Sequence, residues 1–305
     1  MKVLVTGASG FIGSELARLL IREGNEVFAL LRPGSDPWRI HDLLPKLQVI
    51  EGDLLEPTGG WVERLCEVRP EMCFHFAWYA EPGVFLSSPL NLRYLSASLA
   101  LAERLAEANC RKLVIAGSFS EYEQSPGYLS EESAISPNTV YGATKAALHQ
   151  ALALWARGAG MELLWPRIFS VYGPAEHEKR FVPAVILSTL RGEATRLTPG
   201  EQARDYLHVT DAAGAVWAAA RSELSGAVNI ASGEPVALRE IALQIGQILD
   251  RRELIRLGDL PYREGEAMFV CAEVRRLREA TGWQPYYSLE EGLRQTVEWW
   301  RLFLM

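Results

Sequence analysis

A short apolar run, Lys2–Thr6, leads without a break into Gly7-Ala8-Ser9-Gly10-Phe11-Ile12-Gly13, and helical periodicity takes over from Ser14 to Arg22. Few local patterns restrict a fold so strongly. The first glycine permits a tight turn, the second lets a bound group approach the backbone, and the third allows the helix to pack closely on the strand. Free N–H groups and the positive end of the helix dipole then gather at the helix start, where phosphate is stabilised. The spacing is G-x-x-G-x-x-G, a variant of G-x-G-x-x-G. Its setting between strand and helix predicts a dinucleotide site rather than a purely structural turn.

That turn opens a longer alternation. Strand-like runs at Lys2–Thr6, Glu26–Leu30, Leu47–Ile50, Met72–Ala77, Leu113–Ala116 and Glu162–Trp165 alternate with helical stretches at Ser14–Arg22, Gly60–Val68, Leu92–Ala108 and Tyr141–Ala156. Alternation of this kind predicts βαβ units and a mostly parallel sheet, and the nearly all-apolar strands predict helices on both of its faces. After Pro166 the texture changes to shorter elements punctuated by proline and glycine. Asp211–Arg221 and Gly226–Ala231 read as a return to the main sheet, and Ser288–Phe303 as an amphipathic helix with Ser288 and Glu291 forming a capping box. The expected fold is α/β, a doubly wound parallel sheet formed by 1–169 plus about 206–232, with a smaller C-terminal α/β lobe from about 170–205 plus 233–305.

Bulk properties exclude several classes. A net charge of −7 argues against a general nucleic-acid surface. The four cysteines, Cys66, Cys73, Cys110 and Cys271, have no metal-site spacing and read as buried free thiols in a reducing cytoplasm. No apolar run approaches the ~20 residues that span a bilayer. With a first strand starting at residue 2, no signal peptide is expected. The chain is therefore expected to be soluble and cytoplasmic, with no metal, membrane or nucleic-acid partner.

The residues after the second strand bear on the dinucleotide. An NAD site expects an acid about 20 residues beyond the glycines, bonded to the ribose hydroxyls. Here Leu31 and Arg32 fall in that place. Leu31 cannot accept a hydrogen bond, whereas Arg32 suits a 2′-phosphate, with Ser35 and Arg39 near enough in sequence to assist. NADP(H) is favoured and NAD(H) stays open. Farther on, Asp53 after the third strand is positioned for the adenine amino group, or is a solvated turn residue.

Tyr141 and Lys145 stand at i and i+4 on one helical face. A phenol with a pKa of ~10 is a poor acid–base group near neutrality, and a neighbouring ammonium brings it down. Ser118, just past the strand Leu113–Ala116, supplies a second hydroxyl to orient a carbonyl. Together with the glycine turn, this trio predicts proton transfer coupled to hydride transfer.

With these motifs the chain resembles the extended short-chain dehydrogenase/reductase family, in its NAD-dependent epimerase/dehydratase group acting on nucleotide sugars. The resemblance spans nearly the whole chain. It also rests on His75-Phe-Ala-Trp78, Pro166-Arg-Ile-Phe-Ser-Val-Tyr-Gly-Pro174, Arg204-Asp-Tyr-Leu-His-Val209, Asn229-Ile-Ala-Ser-Gly-Glu-Pro235 and the segment Gly282–Gly292. It implies a Rossmann domain, a small substrate domain and a homodimer joined through helices of the large domain. It implies Ser118, Tyr141 and Lys145 as catalytic residues. Gly7, Gly10, Phe11, Ile12, Gly13, Arg32, Ser35, Asp53, Leu54, Ala77, Tyr141, Lys145 and Pro166 would line the cofactor. Ser118, Phe169, Arg180, Arg204 and Arg263 would meet the nucleotide-sugar substrate, with Arg204 and Arg263 on its pyrophosphate. His177 and Lys179 flank Arg180 in an insert that lines the nucleotide or is merely solvated.

Departures from the family pattern narrow the reaction. Its 4,6-dehydratases carry an Asp-Glu pair directly after the catalytic hydroxyl residue; here Phe119 and Ser120 follow, and Glu121 comes one position late. Its 3,5-epimerising reductases use a Cys and a His, and Ser120 stands where that Cys would be. The Asn usual in the helix before the fifth strand is absent, with Ser96 or Ser98 nearby. What remains is a 4-ketoreductase drawing on NADP(H), favoured by Arg32, or a 4-epimerase that retains its cofactor. A small-carbonyl reductase or a non-catalytic dinucleotide sensor fits less well. Trp78–Phe85 is expected to border the sugar pocket or to act as core or lid.

Overall fold

The structure is a computed structural model that describes residues 1–56, 58–122 and 127–304. β1 (Lys2–Thr6), β2 (Glu26–Leu31), β3 (Gln48–Glu51), β4 (Met72–His75), β5 (Lys112–Ile115), β6 (Glu162–Ile168) and β7 (Gly226–Ile230) form a parallel sheet in the order β7-β6-β5-β4-β1-β2-β3. The order reverses beside β1, so the turn after β1 opens into the crevice where such sheets bind ligands. Both faces are covered, as the apolar strands require. Helices Phe11–Arg22 and Val209–Arg221 bury Leu16, Leu20, Ala212 and Val216 on one face. On the other face, helices Trp61–Val68, Leu90–Glu107 and Val140–Gly158 bury Leu65, Leu101, Leu105, Leu148 and Leu152. This is the doubly wound Rossmann architecture.

A smaller layer follows. Helices Phe181–Leu190, Leu238–Ile248 and Leu289–Phe303 enclose an apolar cluster of Val185, Ile186, Ile241, Ile245, Leu293 and Trp300. Strands Pro235–Ala237, Ala203–His208, Phe269–Ala272 and Tyr128–Leu129 form a second sheet beside it, and Ser170–Tyr172 pairs with Ala203–His208. The capping box is present: the Ser288 side chain accepts from Glu291 N, and the Glu291 carboxylate accepts from Ser288 N.

Strand ends differ from the sequence expectation in an instructive way. β4 stops at His75 rather than Ala77, because Ala77 turns its N–H to the Thr6 hydroxyl at 3.3 Å. β6 does not end at Trp165 but runs through Pro166 to Ile168. Proline has no ladder N–H to give, and it falls where none is needed. Pairing with β5 stops at Leu164 and resumes on the short strand Gly117–Ser118 at Arg167. Within that gap the Ala116 carbonyl accepts Lys145 Nζ at 2.8 Å.

Candidate active site

The glycine turn has the shape its spacing predicts. Gly7 sits at φ 76°, and a Cβ there would lie 2.6 Å from Ala77 N and from the Phe76 carbonyl carbon. A Cβ on Gly13 would meet Gly7 O at 2.1 Å, so the helix and the turn touch backbone to backbone. Gly10 caps the helix with no side-chain hydrogen bond. Its first N–H groups, those of Phe11, Ile12 and Gly13, have no partner within the helix. A cradle of amides without helical partners at a helix start fits a dinucleotide pyrophosphate.

At the end of β2, Leu31 is buried and Arg32 is exposed. Arg32 forms no ion pair among the described residues, which leaves its guanidinium available. Two of the neighbours expected to assist it also make hydrogen bonds within the chain. The Ser35 hydroxyl donates back to Arg32 O at 2.6 Å, closing the turn. Arg39 is half-buried and donates to Ala175 O at 2.9 Å and to Ser9 O at 3.5 Å, tying the glycine turn to the segment that leads into helix Phe181–Leu190. Asp53 accepts from Leu55 N at 2.9 Å and so caps its own turn. Leu54 packs into the core with Ile50 and Trp61.

Ser118, Tyr141 and Lys145 come together at the C-terminal end of β5. The local sequence holds each of them. Ser118 begins a 3₁₀ turn, Phe119–Glu121, whose N–H at Ser120 donates to the Ser118 hydroxyl. Glu121 folds back so that its Oε1 accepts from Ser118 N at 2.8 Å. Thr139 caps the helix that carries Tyr141 and Lys145. Burial pushes the Tyr141 phenol up to about 12, a rise opposed by the Ser118 hydroxyl bonded to it. Burial also brings the Lys145 ammonium down to about 7.

Lys145 has a partner that spacing did not reveal. Its Nζ lies 3.6 Å from the centre of the Trp78 ring, a cation–π contact in a dry setting. The Trp78 indole N–H donates to Asn91 Oδ1 at 2.8 Å, and Asn91 Nδ2 donates to Phe85 O and Ser88 O. Phe85 in turn meets the Tyr141 ring edge-on at 5.0 Å. Asn91 is fully buried near the start of helix Leu90–Glu107, where its amide needs these partners, and nothing in the sequence pattern marked it. Trp78–Phe85 thus frames the Tyr/Lys pair directly.

His75 completes the floor. Its Nε2 donates to Ser98 Oγ at 2.8 Å, because the Ser98 hydroxyl proton is already given to Tyr94 O at 2.7 Å. Its Nδ1 therefore accepts from the Thr6 hydroxyl at 2.6 Å. Burial and the Lys145 charge hold the ring neutral, with its pKa down to about 3. Of the two serines near the missing Asn, Ser98 is the one in this network.

Across the cleft, Arg180 lies 5.0 Å from the Phe85 ring centre and draws the Tyr141 phenol downward. His177 and Lys179 sit 3.9 and 3.7 Å from the Glu81 carboxylate, joining the insert to the Trp78–Phe85 segment. Arg204 is half-buried, donating to Ala203 O and Ala267 O with Glu266 3.7 Å away. Phe169 is buried, its ring stacked on Phe119 at 5.5 Å. Arg263 is exposed on a turn in which Glu266 N donates to its carbonyl, and among the described residues no hydrogen bond or ion pair joins it to Arg204. Glu121, late by one position in sequence, is turned wholly inward: it accepts from Trp165 Nε1 and pairs with Arg167 at 2.9 Å. It presents no acid to the cleft. No group of three or more metal-ligating side chains occurs among the described residues.

Known proteins resemble this chain along its whole length. A UDP-glucose 4-epimerase of Mycolicibacterium smegmatis is 30% identical over 315 residues, covering 99% of this chain and 99% of that protein. The structure of a UDP-glucose 4-epimerase from Thermotoga maritima with UDP-glucose superposes with a TM-score of 0.88 at 27% identity, covering 100% of both chains. That of a Thermus thermophilus UDP-glucose 4-epimerase in complex with NAD gives a TM-score of 0.85 at 27% identity, covering 99% of both. The family model for the NAD dependent epimerase/dehydratase family matches residues 3–231, from the first strand through β7 and across the whole Tyr141 site, and the chain belongs to that family of enzymes.

Proposed function

We propose that this enzyme exchanges a hydride at C4 of a nucleotide-linked sugar, working as a 4-ketoreductase with NADP(H). The observation that carries the C4 redox reading is the convergence of Ser118, Tyr141 and Lys145 beside the glycine cradle, with Glu121 withdrawn into the core. A cleft without a second carboxyl acid–base pair beside Ser118 suits carbonyl reduction or alcohol oxidation, not elimination of water.

Gly7, Gly10 and Gly13 with the amides of Phe11 and Ile12 would hold the dinucleotide diphosphate, and Arg32 its 2′-phosphate. A bound nicotinamide supplies the hydride. The chain's own groups do the rest. Ser118 and Tyr141 orient the sugar carbonyl, and Tyr141 gives its hydroxyl proton to the oxygen as that oxygen becomes an alcohol. Lys145 favours the resulting phenolate by charge. The Phe85, Trp78 and Arg180 walls exclude water around that proton. Arg180 and Arg204 would meet the substrate diphosphate or its flanks. Leu92 and Leu154, exposed on the two long helices Leu90–Glu107 and Val140–Gly158, support a homodimer formed there.

Arg32→Ala tests the cofactor. It is expected to weaken NADPH binding by about tenfold or more, the scale of a lost charge-assisted pair, and to leave NADH binding nearly unchanged in fluorescence titrations. Equal losses would refute the 2′-phosphate role. A second reading is favoured by the similarity to UDP-glucose 4-epimerases, one of them solved with NAD: a 4-epimerase that keeps its cofactor. Nicotinamide cofactor retained by the purified protein would select it.

Trp78→Ala tests the support of Lys145. Removing the ring face leaves the ammonium less stable in its buried site, so its pKa falls further below about 7. The alkaline limb of kcat/KM then moves to lower pH by about one unit, with Trp78→Phe shifted less, as a cation–π contact of up to ~2 kcal/mol predicts. An unmoved limb in the alanine variant would remove Trp78 from the mechanism.

A further inference from the structure

Between β4 and helix Leu90–Glu107 the chain runs through turns and irregular backbone. Yet this segment brings two rings to the Tyr/Lys pair. The Trp78 face lies 3.6 Å from Lys145 Nζ, and Phe85 meets the Tyr141 ring edge-on at 5.0 Å. Turns of this kind are mobile unless tertiary bonds fix them.

Asn91 supplies such bonds. It is fully buried in the first turn of its helix, where a short polar side chain ordinarily serves the free N–H groups of that turn. Here it reaches back along the chain instead. Its Oδ1 accepts from Trp78 Nε1 at 2.8 Å, and its Nδ2 donates to Phe85 O at 2.7 Å and to Ser88 O at 2.9 Å. An indole N–H can only donate, so the amide has one orientation, and both of its hydrogens are used. Beside Phe85, Leu86 O accepts from Tyr141 N at 3.0 Å and closes the segment onto the helix that carries the pair.

A ring stabilises an ammonium only while its face is presented. Besides Lys145, the Trp78 ring meets Tyr94 at 5.6 Å, the Tyr141 ring edge at 6.4 Å and the Asn91 amide. Of these the hydrogen bond has the narrowest geometry, and it anchors the indole at its polar end. The titratable and charged groups around Lys145 are Tyr141 on its own helix, Glu121 in the 3₁₀ turn, His75 at the end of β4, Tyr94 behind Trp78 and Arg180 beyond Phe85. Asn91 and Trp78 are uncharged, so replacing either leaves all of these in place.

We infer that Asn91 is a positioning residue for the catalytic pair, acting on Lys145 through the Trp78 ring that its amide holds in place. This rests on the catalytic assignment of Lys145 under the proposed function. Without the amide, the indole loses its anchor and its face no longer stays over Nζ. The ammonium is then less stable, and its titration midpoint falls.

The test reads Lys145 directly. The chain has five lysines, Lys2, Lys46, Lys112, Lys145 and Lys179, so the Lys145 side-chain signal of isotope-labelled full-length protein can be assigned against Lys145→Met and followed by NMR across pH. Asn91→Leu keeps the branched outline of asparagine without its hydrogen-bonding groups. It is expected to lower the Lys145 midpoint by about half a unit. In a Trp78→Phe background no indole N–H remains, and the same substitution should move the midpoint no further. A midpoint unmoved or raised in Asn91→Leu, even with a lowered melting temperature, marks a merely structural residue and overturns the inference. An equal shift in both backgrounds does the same. Where Asn91→Leu does not fold, Asn91→Ser, which leaves room for a water, is read against the same outcomes; if neither folds, Asn91 serves folding alone and the inference fails. No substrate is present, so a negative result leaves the C4 reading standing. Lys145→Met with full turnover of a 4-keto nucleotide sugar would instead remove the catalytic assignment, and the positioning role with it.

Discussion

Tyr141→Phe is expected to lower turnover by about 10²–10⁴-fold, the contribution of a positioned acid–base group, while cofactor affinity and melting temperature stay near wild type. Only the hydroxyl is lost, so the edge-on contacts of the ring with Phe85 and Trp78 persist. The reason for so large an effect is electrostatic. Burial raises the phenol to about 12 and lowers the Lys145 ammonium to about 7, so near neutral pH the free site holds the phenol uncharged and Lys145 only partly charged. Proton transfer then depends on charges brought in with the bound molecules and on Ser118 and Arg180, which already oppose the rise. Steady-state kinetics with a fluorescence measurement of cofactor binding checks both halves. Full activity in the phenylalanine variant would refute the assignment of Tyr141 as proton donor.

The largest stability effect is expected at Glu121→Ala. Glu121 is 0% exposed and Arg167 2%, and their ion pair is shared with Trp165 Nε1 and Ser118 N. Arg167 also lies 4.5 Å from the Tyr122 ring centre. Removing one partner of such a pair strands the other charge, at about 3–5 kcal/mol. Urea denaturation should therefore show the midpoint falling with an unchanged slope. Because Glu121 also closes the turn at Ser118, the variant should lose turnover by more than Tyr122→Phe does. A midpoint within experimental error of wild type would contradict the account of Glu121 as the support of Ser118.

Much of the fold was legible because periodicity and turn chemistry agreed. The alternating runs gave the parallel sheet, and Gly7, Gly10 and Gly13 marked a backbone contact that a side chain would break. Pro166 misled the reading of β6, because sequence does not tell whether the missing N–H falls in a ladder or in a gap between two partner strands. In the site, Tyr141 and Lys145 were visible as an i, i+4 pair, and Ser118 as the residue at a strand end. Trp78 and Asn91 were not assigned to Lys145, since their contact joins a loop to two helices far apart in sequence. Ser35 and Asp53, expected as ligand groups, also serve their own turns, a use of short polar side chains that composition cannot separate from binding.

The central claim is hydride exchange at C4 through the Ser118, Tyr141 and Lys145 site. Its most direct test follows absorbance of the reduced nicotinamide when a 4-keto nucleotide sugar is added to enzyme and NADPH. The account predicts oxidation of one NADPH for each sugar reduced at C4, lost in Tyr141→Phe. No oxidation of NADPH or NADH, together with no C4 epimer formed from a nucleotide sugar, would contradict it.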